Sequence, residues 1–218
     1  MNIDNIRSNF PHLNRFIFLN HAGVSPLPSP VADSMRSLIA DLEQNASINE
    51  EQWSQRESDL RRGLSALLHC EPSEIAITKN TSEGLSCVAN GLNWKPGDNV
   101  VISNVEFPAN AYPWLALENK GVEVRLATEL DDGRIPLEHI CRLIDHNTRV
   151  VALSLVQYAS GYRIPAEELG KYCRSRGILF VLDVFQAAAN PLLSTRESLY
   201  AVAYCSFLTY SRQQGQSM

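Results

Sequence analysis

The chain has 218 residues, of which 44% are hydrophobic and 20% charged, and its formal net charge is −5 at pH 7. This composition is typical of one large globular domain, or of one domain with part of another, and the acidic balance argues against nucleic acid as a partner. Because no apolar run approaches the roughly 20 residues of a membrane-spanning helix and no signal-peptide pattern opens the chain, we expect a cytoplasmic protein without a membrane partner. The five cysteines form no CxxC pair, so we expect no metal site and no disulfide framework.

Helical patterns follow a short extended entry in the first part of the chain. Val31, Met35, Leu38 and Leu42 recur at helical spacing, and a second amphipathic helix is predicted from about residue 50 to residue 68. We therefore expect an N-terminal helical segment at 1–70, followed by a second domain at 71–206 and a tail at 207–218.

From residue 74 onward, short apolar runs alternate with helical patterns. The predicted strands are Ile75–Thr78, Val100–Ser103, Val122–Ala127, Val150–Leu155 and Ile178–Leu182. Apolar strands that are each followed by a helix predict an α/β fold, a mostly parallel sheet with helices on both faces. Ligands of such sheets bind at the carboxyl ends of the strands, so the candidate residues are sought there.

The first candidate site is the segment Lys79–Gly84, which follows the first predicted strand. Hydroxyl groups and free backbone N–H groups at a helix start form an anion site, and Thr81 and Ser82 supply both. A plain helix N-cap has the same residue types, so the segment alone allows either interpretation.

The second candidate is Asp183, which follows the apolar run Ile178–Leu182. A carboxylate at the end of a buried strand needs a partner, because burying an unpaired charge is costly. A metal–nucleotide is one such partner, but the chain has neither a GxxxxGK[ST] nor a GxGxxG loop. A pyridinium nitrogen is the other, and a simple capping role is the remaining alternative.

The third candidate is the segment 104–110, which lies between a predicted strand and a helix whose first turn contains Pro108 and which carries the aromatic residue Phe107. Such an aromatic side chain packs in the core or stacks on a flat ligand. An anion site, a stacking ring and a strand-end acid on successive units fit one flat phosphorylated cofactor.

Five consecutive segments then carry a family resemblance: FLNHAGVSPLP, TKNTSEGLS, VEFPANAYPW, SLVQYASGYRIP and VLDVFQAAA. In this order they resemble the landmarks of the class V aminotransferase group of pyridoxal-phosphate (PLP) enzymes. That group includes cysteine desulfurases, kynureninase-like enzymes and isopenicillin N epimerase-like proteins. The resemblance runs from Phe18 to Ser206. It implies the large domain of a fold type I PLP-dependent transferase, a homodimer and a small amino-acid substrate.

The resemblance also implies roles for individual residues. Thr81 and Ser82 would hold the cofactor phosphate, Phe107 would stack on the pyridine ring, and Asp183 would pair with the ring nitrogen. The remaining expected contacts are Gln186 with the ring hydroxyl, Gln157 or Tyr158 near that hydroxyl, and Asn20 and His21 on the substrate side.

One departure from the family concerns the lysine that forms the Schiff base with the cofactor. The resemblance places it near Thr209, yet no lysine follows Lys171. We therefore expect a truncated chain that lacks the small C-terminal domain and is inactive as an aminotransferase, epimerase or cysteine desulfurase. The alternative is a non-catalytic remnant or pseudoenzyme that only binds PLP or a protein partner.

Overall fold

The computed structural model describes residues 3–20 and 23–187, and the backbone of the strand 201–204. The described residues form two compact units that divide between Ile77 and Thr78. Within these residues, no helix combines the length and the apolar character that crossing a membrane requires.

The first unit is helical. Its helices are α1 (Ile3–Ser8), α2 (Ser29–Asn45) and α3 (Glu50–Leu68), with single 3₁₀ turns at Pro11–Asn14 and Pro72–Glu74. The Asp41 carboxylate on α2 accepts hydrogen bonds from Asn45 (2.8 Å), Asn49 (2.6 Å) and the Trp53 indole (2.9 Å). These bonds tie the end of α2 to the start of α3.

The second unit contains a parallel sheet. Its strands are β1 (Asn99–Ser103), β2 (Glu123–Ala127), β3 (Thr148–Ser154), β4 (Leu179–Asp183) and β5 (Ala201–Tyr204). They lie side by side in the order β2-β1-β3-β4-β5, and every neighbouring pair is parallel. Its helices are α4 (Thr81–Gly91), α5 (Pro108–Leu115), α6 (Leu137–Cys141) and α7 (Ala166–Arg174). The predicted parallel α/β fold is confirmed.

The prediction of a strand at Ile75–Thr78 is wrong, because these residues form no ladder with a described strand. The backbone carbonyl of Ile75 accepts a hydrogen bond from the Arg61 side chain of α3. An apolar run shows that a segment is partly buried, but it does not show which group satisfies the backbone.

The core of the second unit places two polar side chains on a defined face of the sheet. Leu85 on α4 and Trp114 on α5 pack in one cluster with Ala152 of β3 and Val181 of β4. Side chains along a strand alternate between the two faces. Ser154 and Asp183, each two residues beyond a cluster member, therefore lie on the face that α4 and α5 cover.

A polar cluster lies at the opposite, amino edge of the sheet. The Asp145 carboxylate accepts hydrogen bonds from Arg125 and Asn99, each at 2.8 Å, and these bonds hold its pKa well below the usual range. Thr148 donates to Asn99 at 2.7 Å. This cluster ties β1, β2 and β3 together at the end away from the candidate site.

Candidate functional site

The strand order creates a crevice between β1 and β3. The chain passes from β1 outward to β2 and then returns to the other side of β1 as β3. At such a switch point the two connecting segments leave the sheet in opposite directions, so a ligand crevice opens at the carboxyl ends of the strands. The residues that follow β1 and β3 therefore lie at the expected position of a site.

A hydrogen-bond network centred on Glu106 bridges this crevice. One Glu106 oxygen accepts from the Ser154 backbone N–H (2.9 Å) and from Gln157 Nε2 (2.8 Å). The other accepts from Ser154 Oγ (2.5 Å) and from Asn110 Nδ2 (3.0 Å), while Asn110 Oδ1 accepts from Trp114 Nε1 (3.2 Å). Glu106 is buried, and burial raises the pKa of its carboxyl although these donors oppose the shift.

Gln157 is only 1% exposed, and one of its two amide atoms has a partner in this network. The other atom, Oε1, is buried and has no hydrogen-bond partner among the residues that the structure describes. A buried acceptor without a partner is costly, so such an atom indicates a place where a ligand donor binds.

Asp183 ends β4 with 5% of its surface exposed, directly beside Ser154 in the β3–β4 register. Its Oδ1 accepts a hydrogen bond from the Phe185 backbone N–H (2.8 Å). Burial raises the pKa of Asp183 to about 6; the Phe185 N–H opposes this shift and the negative Glu106 adds to it. Among the described residues, no lysine or arginine contacts either Asp183 or Glu106 by a hydrogen bond or an ion pair.

Two aromatic rings flank the crevice. Phe107, the N-cap residue of α5, and Tyr158 lie edge to face with centroids 5.2 Å apart and planes at 83°. They are 49% and 51% exposed, so both rings present surface to solvent rather than to the core.

The start of α4 carries the predicted anion site. Asn80 is the N-cap residue, and its side chain accepts from the Glu83 N–H at 2.8 Å. Since the first N–H groups of a helix have no intrahelical partner, those of Thr81 and Ser82 remain available to an anion. Thr81 is buried and Ser82 is exposed.

The structure brings together some of the predicted site residues. Phe107, Gln157 and Asp183 follow or end neighbouring strands, and Thr81 and Ser82 begin a helix that packs on the same sheet face as Asp183.

Other predicted residues lie elsewhere. Gln186 is exposed in the turn after β4. Asn20 belongs to the first unit, where its Oδ1 accepts from the Gly23 N–H at 3.2 Å. His21 and Thr209 lie outside the described residues.

Sequence reasoning missed Glu106 and Ser154 as members of the site. The sequence did contain a signal for Glu106, because Glu106 is an acid shortly after one apolar run, just as Asp183 is an acid at the end of another. Within the described part of the chain, no group of three or more His, Cys, Asp or Glu side chains is placed to hold a metal ion.

Comparisons with known proteins identify relatives of this chain. A probable cysteine desulfurase of Methanothermobacter thermautotrophicus is 29% identical over 202 residues, covering 90% of this chain and 50% of that protein. A cysteine desulfurase of Salmonella choleraesuis is 26% identical, covering 96% of this chain and 54% of that protein. The chain thus spans about half the length of these relatives.

Solved structures show the same relationship. The apo structure of a cysteine desulfurase from Thermococcus onnurineus NA1 has a TM-score of 0.80 and 27% identity, covering 91% of this chain and 51% of that chain. A mutant of C-DES with glycine covalently linked to its PLP cofactor has a TM-score of 0.77 at 22% identity, which shows a shared fold alone. The family model for Aminotransferase class-V matches residues 17–198. The chain therefore belongs to the class V aminotransferase family.

Proposed function

We propose that this chain supplies the PLP-binding part of a cysteine desulfurase-like enzyme that acts on a small amino acid. The observation that carries the proposal is the pair of buried carboxyl groups, Asp183 and Glu106, at the switch point without a cationic partner among the described residues. A low-dielectric site with this charge favours a ligand that is cationic where it meets Asp183.

PLP fits these groups. Its protonated ring nitrogen would donate to Asp183, and the unpartnered Oε1 of Gln157 would accept from the ring hydroxyl when that group carries its proton. The exposed Phe107 ring offers a surface for stacking, and the start of α4 at Thr81 and Ser82 offers N–H groups to the phosphate. When bound, PLP supplies an electron sink for bonds at the amino-acid α-carbon.

The protein's part in that chemistry is to hold and polarise the cofactor. Asp183 would keep the proton on the ring nitrogen, and Gln186, exposed beyond β4, would turn towards the ring hydroxyl. The names of the cysteine desulfurase relatives support an amino-acid substrate. We also propose that the chain forms a homodimer.

A PLP titration followed by absorbance tests the proposal. We expect the chain to bind PLP and Asp183→Asn to bind at least about tenfold more weakly, because the amide carries no charge to pair with the ring nitrogen. Asp131→Asn removes an equal charge at an exposed position and should bind like the parent chain. Equal affinity of all three proteins, or no binding by any, would contradict the proposal.

A second candidate function follows from the lysines. The chain has only Lys79, Lys95, Lys120 and Lys171, and none of them follows β4. We propose that a polypeptide of these 218 residues binds PLP without a covalent bond and does not turn over amino acids, because the nucleophilic amine that this chemistry needs is absent.

Borohydride reduction with PLP, followed by mass mapping, tests this second function. We expect no stoichiometric phosphopyridoxyl adduct on any lysine and no desulfurase, lyase or transaminase turnover. Such an adduct on one lysine together with turnover would show instead that the chain is an active enzyme.

A further inference from the structure

The surroundings of Glu106 determine the direction of two of the four hydrogen bonds it makes. The Trp114 indole N–H is only a donor, so the Asn110 atom facing it is the carbonyl oxygen and the amide nitrogen faces Glu106. The Ser154 backbone N–H is also only a donor. With Gln157 and the Ser154 hydroxyl, four donors occupy the two oxygens of Glu106, an arrangement that suits the ionised carboxylate.

This arrangement determines which atom Gln157 offers to a ligand. Because Gln157 Nε2 donates to Glu106, the planar amide turns Oε1 away from the carboxylate. Oε1 is buried and has no partner in the described chain, so it can only accept a hydrogen bond. If residue 106 lost its charge, the hydrogen bond that holds the amide in this orientation would be weaker.

Glu106 also acts on Asp183. Ser154, which donates two hydrogen bonds to Glu106, is the direct neighbour of Asp183 in the sheet. The two carboxyl groups therefore lie close together in a buried region, where charges interact more strongly than in water. A cation beside Asp183 is stabilised by both of them.

We propose that Glu106 is a positioning residue that holds Gln157 as an acceptor and adds a second negative charge beside Asp183, and that this charge strengthens the preference of the site for a ring with a protonated nitrogen. This inference rests on the proposed function and deepens it, because it assigns to Glu106 a part in that preference. Glu106 acts through Gln157 and Asp183, not by contact with the reacting atoms.

The test compares PLP with deaza-PLP, in which carbon replaces the ring nitrogen, so that no cation can form. The parent chain should prefer PLP over deaza-PLP. In Glu106→Gln this preference should fall by about tenfold, the effect of one pKa unit at the ring nitrogen. Because the two affinities are compared as a ratio, any change in affinity that is equal for both ligands cancels. Glu118→Gln, at an exposed position of the same unit, is the charge-matched control and should keep the parent ratio.

A measurement on the parent chain covers the case in which Glu106→Gln does not fold. With PLP labelled with ¹⁵N in the ring, the nitrogen resonance of the bound cofactor should remain that of the protonated ring at pH 8. A deprotonated ring at that pH, or an unchanged preference in a folded Glu106→Gln, would overturn the inference while leaving PLP binding intact. Failure of the parent chain to bind PLP at all would instead overturn the proposed function and this inference with it.

Discussion

Asp183 shows how burial changes the chemistry of one residue. Its carboxyl lies at the end of an apolar strand, beside a second acid and with one backbone N–H as its donor. In the absence of a cation the ionised form is disfavoured, which is why its pKa rises from 3.8 to about 6. The position therefore costs the ligand-free chain stability at neutral pH and favours a cationic ligand.

This cost predicts a pH dependence of the stability of the ligand-free chain. The unfolded chain releases the Asp183 proton near pH 4 and the folded chain near pH 6, so the folded state binds more protons between these values. The free energy of unfolding should therefore fall by about 3 kcal/mol, relative to Asp183→Asn, as the pH rises from 4 to above 6. Urea unfolding at a series of pH values measures this difference.

Asp131→Asn is the control for that series, because Asp131 is exposed. Its stability should follow that of the parent chain across the same pH range. The difference in the free energy of unfolding between the parent chain and Asp183→Asn could instead stay constant between pH 4 and pH 7. That result would show that Asp183 titrates normally.

At the scale of secondary structure, the start of α4 combines a structural cap with a candidate anion site. Asn80 caps the Glu83 N–H, and the Glu83 carboxylate accepts in turn from the Lys79 N–H at 2.6 Å. The two bonds leave the N–H groups of Thr81 and Ser82 directed out of the first turn. The helix is thus stabilised without using the groups that we assign to the phosphate.

Replacing the cap tests this division of roles. Asn80→Ala should lower the free energy of unfolding by about 1 kcal/mol, the usual cost of losing an N-cap side chain, as measured by urea denaturation. Asn93→Ala, an exposed position after the same helix, should change it little. If the two variants were equally stable, the cap would contribute nothing to α4.

At the scale of the whole molecule, the N-terminal segment exposes large apolar side chains. Ile17, Leu19 and Val24 are 86%, 85% and 79% exposed. Large apolar side chains exposed close together in the sequence are candidates for an interaction surface. This exposure supports the homodimer that we propose.

Sedimentation velocity tests self-association directly. We expect the chain to sediment as a dimer or a larger species, and the double variant Ile17→Lys, Leu19→Lys to shift towards monomer because charged side chains are costly to bury between subunits. The matched control is Ile48→Lys, which should not change the sedimentation. Ile48 is 82% exposed but lies outside this segment. A monodisperse parent monomer would contradict the expectation.

Residue patterns were sufficient to predict most helices and strands, because both kinds of element are recognised from local periodicity. The two long helices of the first unit and the strands β1, β2, β3 and β4 lie close to their predicted positions. The error at Ile75–Thr78 has a non-local cause, since a side chain from α3 rather than a strand satisfies the Ile75 carbonyl. Asp183 ends a strand as predicted, and Phe107 lies between β1 and α5 as predicted; the roles of both residues towards a cofactor stay predictions.

The sequence by itself determined the parallel α/β class and the family, because both depend on the order and spacing of residues along the chain. Only the tertiary structure decided that Glu106 joins Ser154 and Gln157, which are 48 and 51 residues away. It also decided that Ser154 lies beside Asp183. These contacts follow from the β2-β1-β3-β4-β5 order, which is set by how helices and strands bury their apolar faces against each other. No local pattern records that order, so neither the shared burial of the two acids nor the unpartnered Gln157 oxygen is visible in the residues alone.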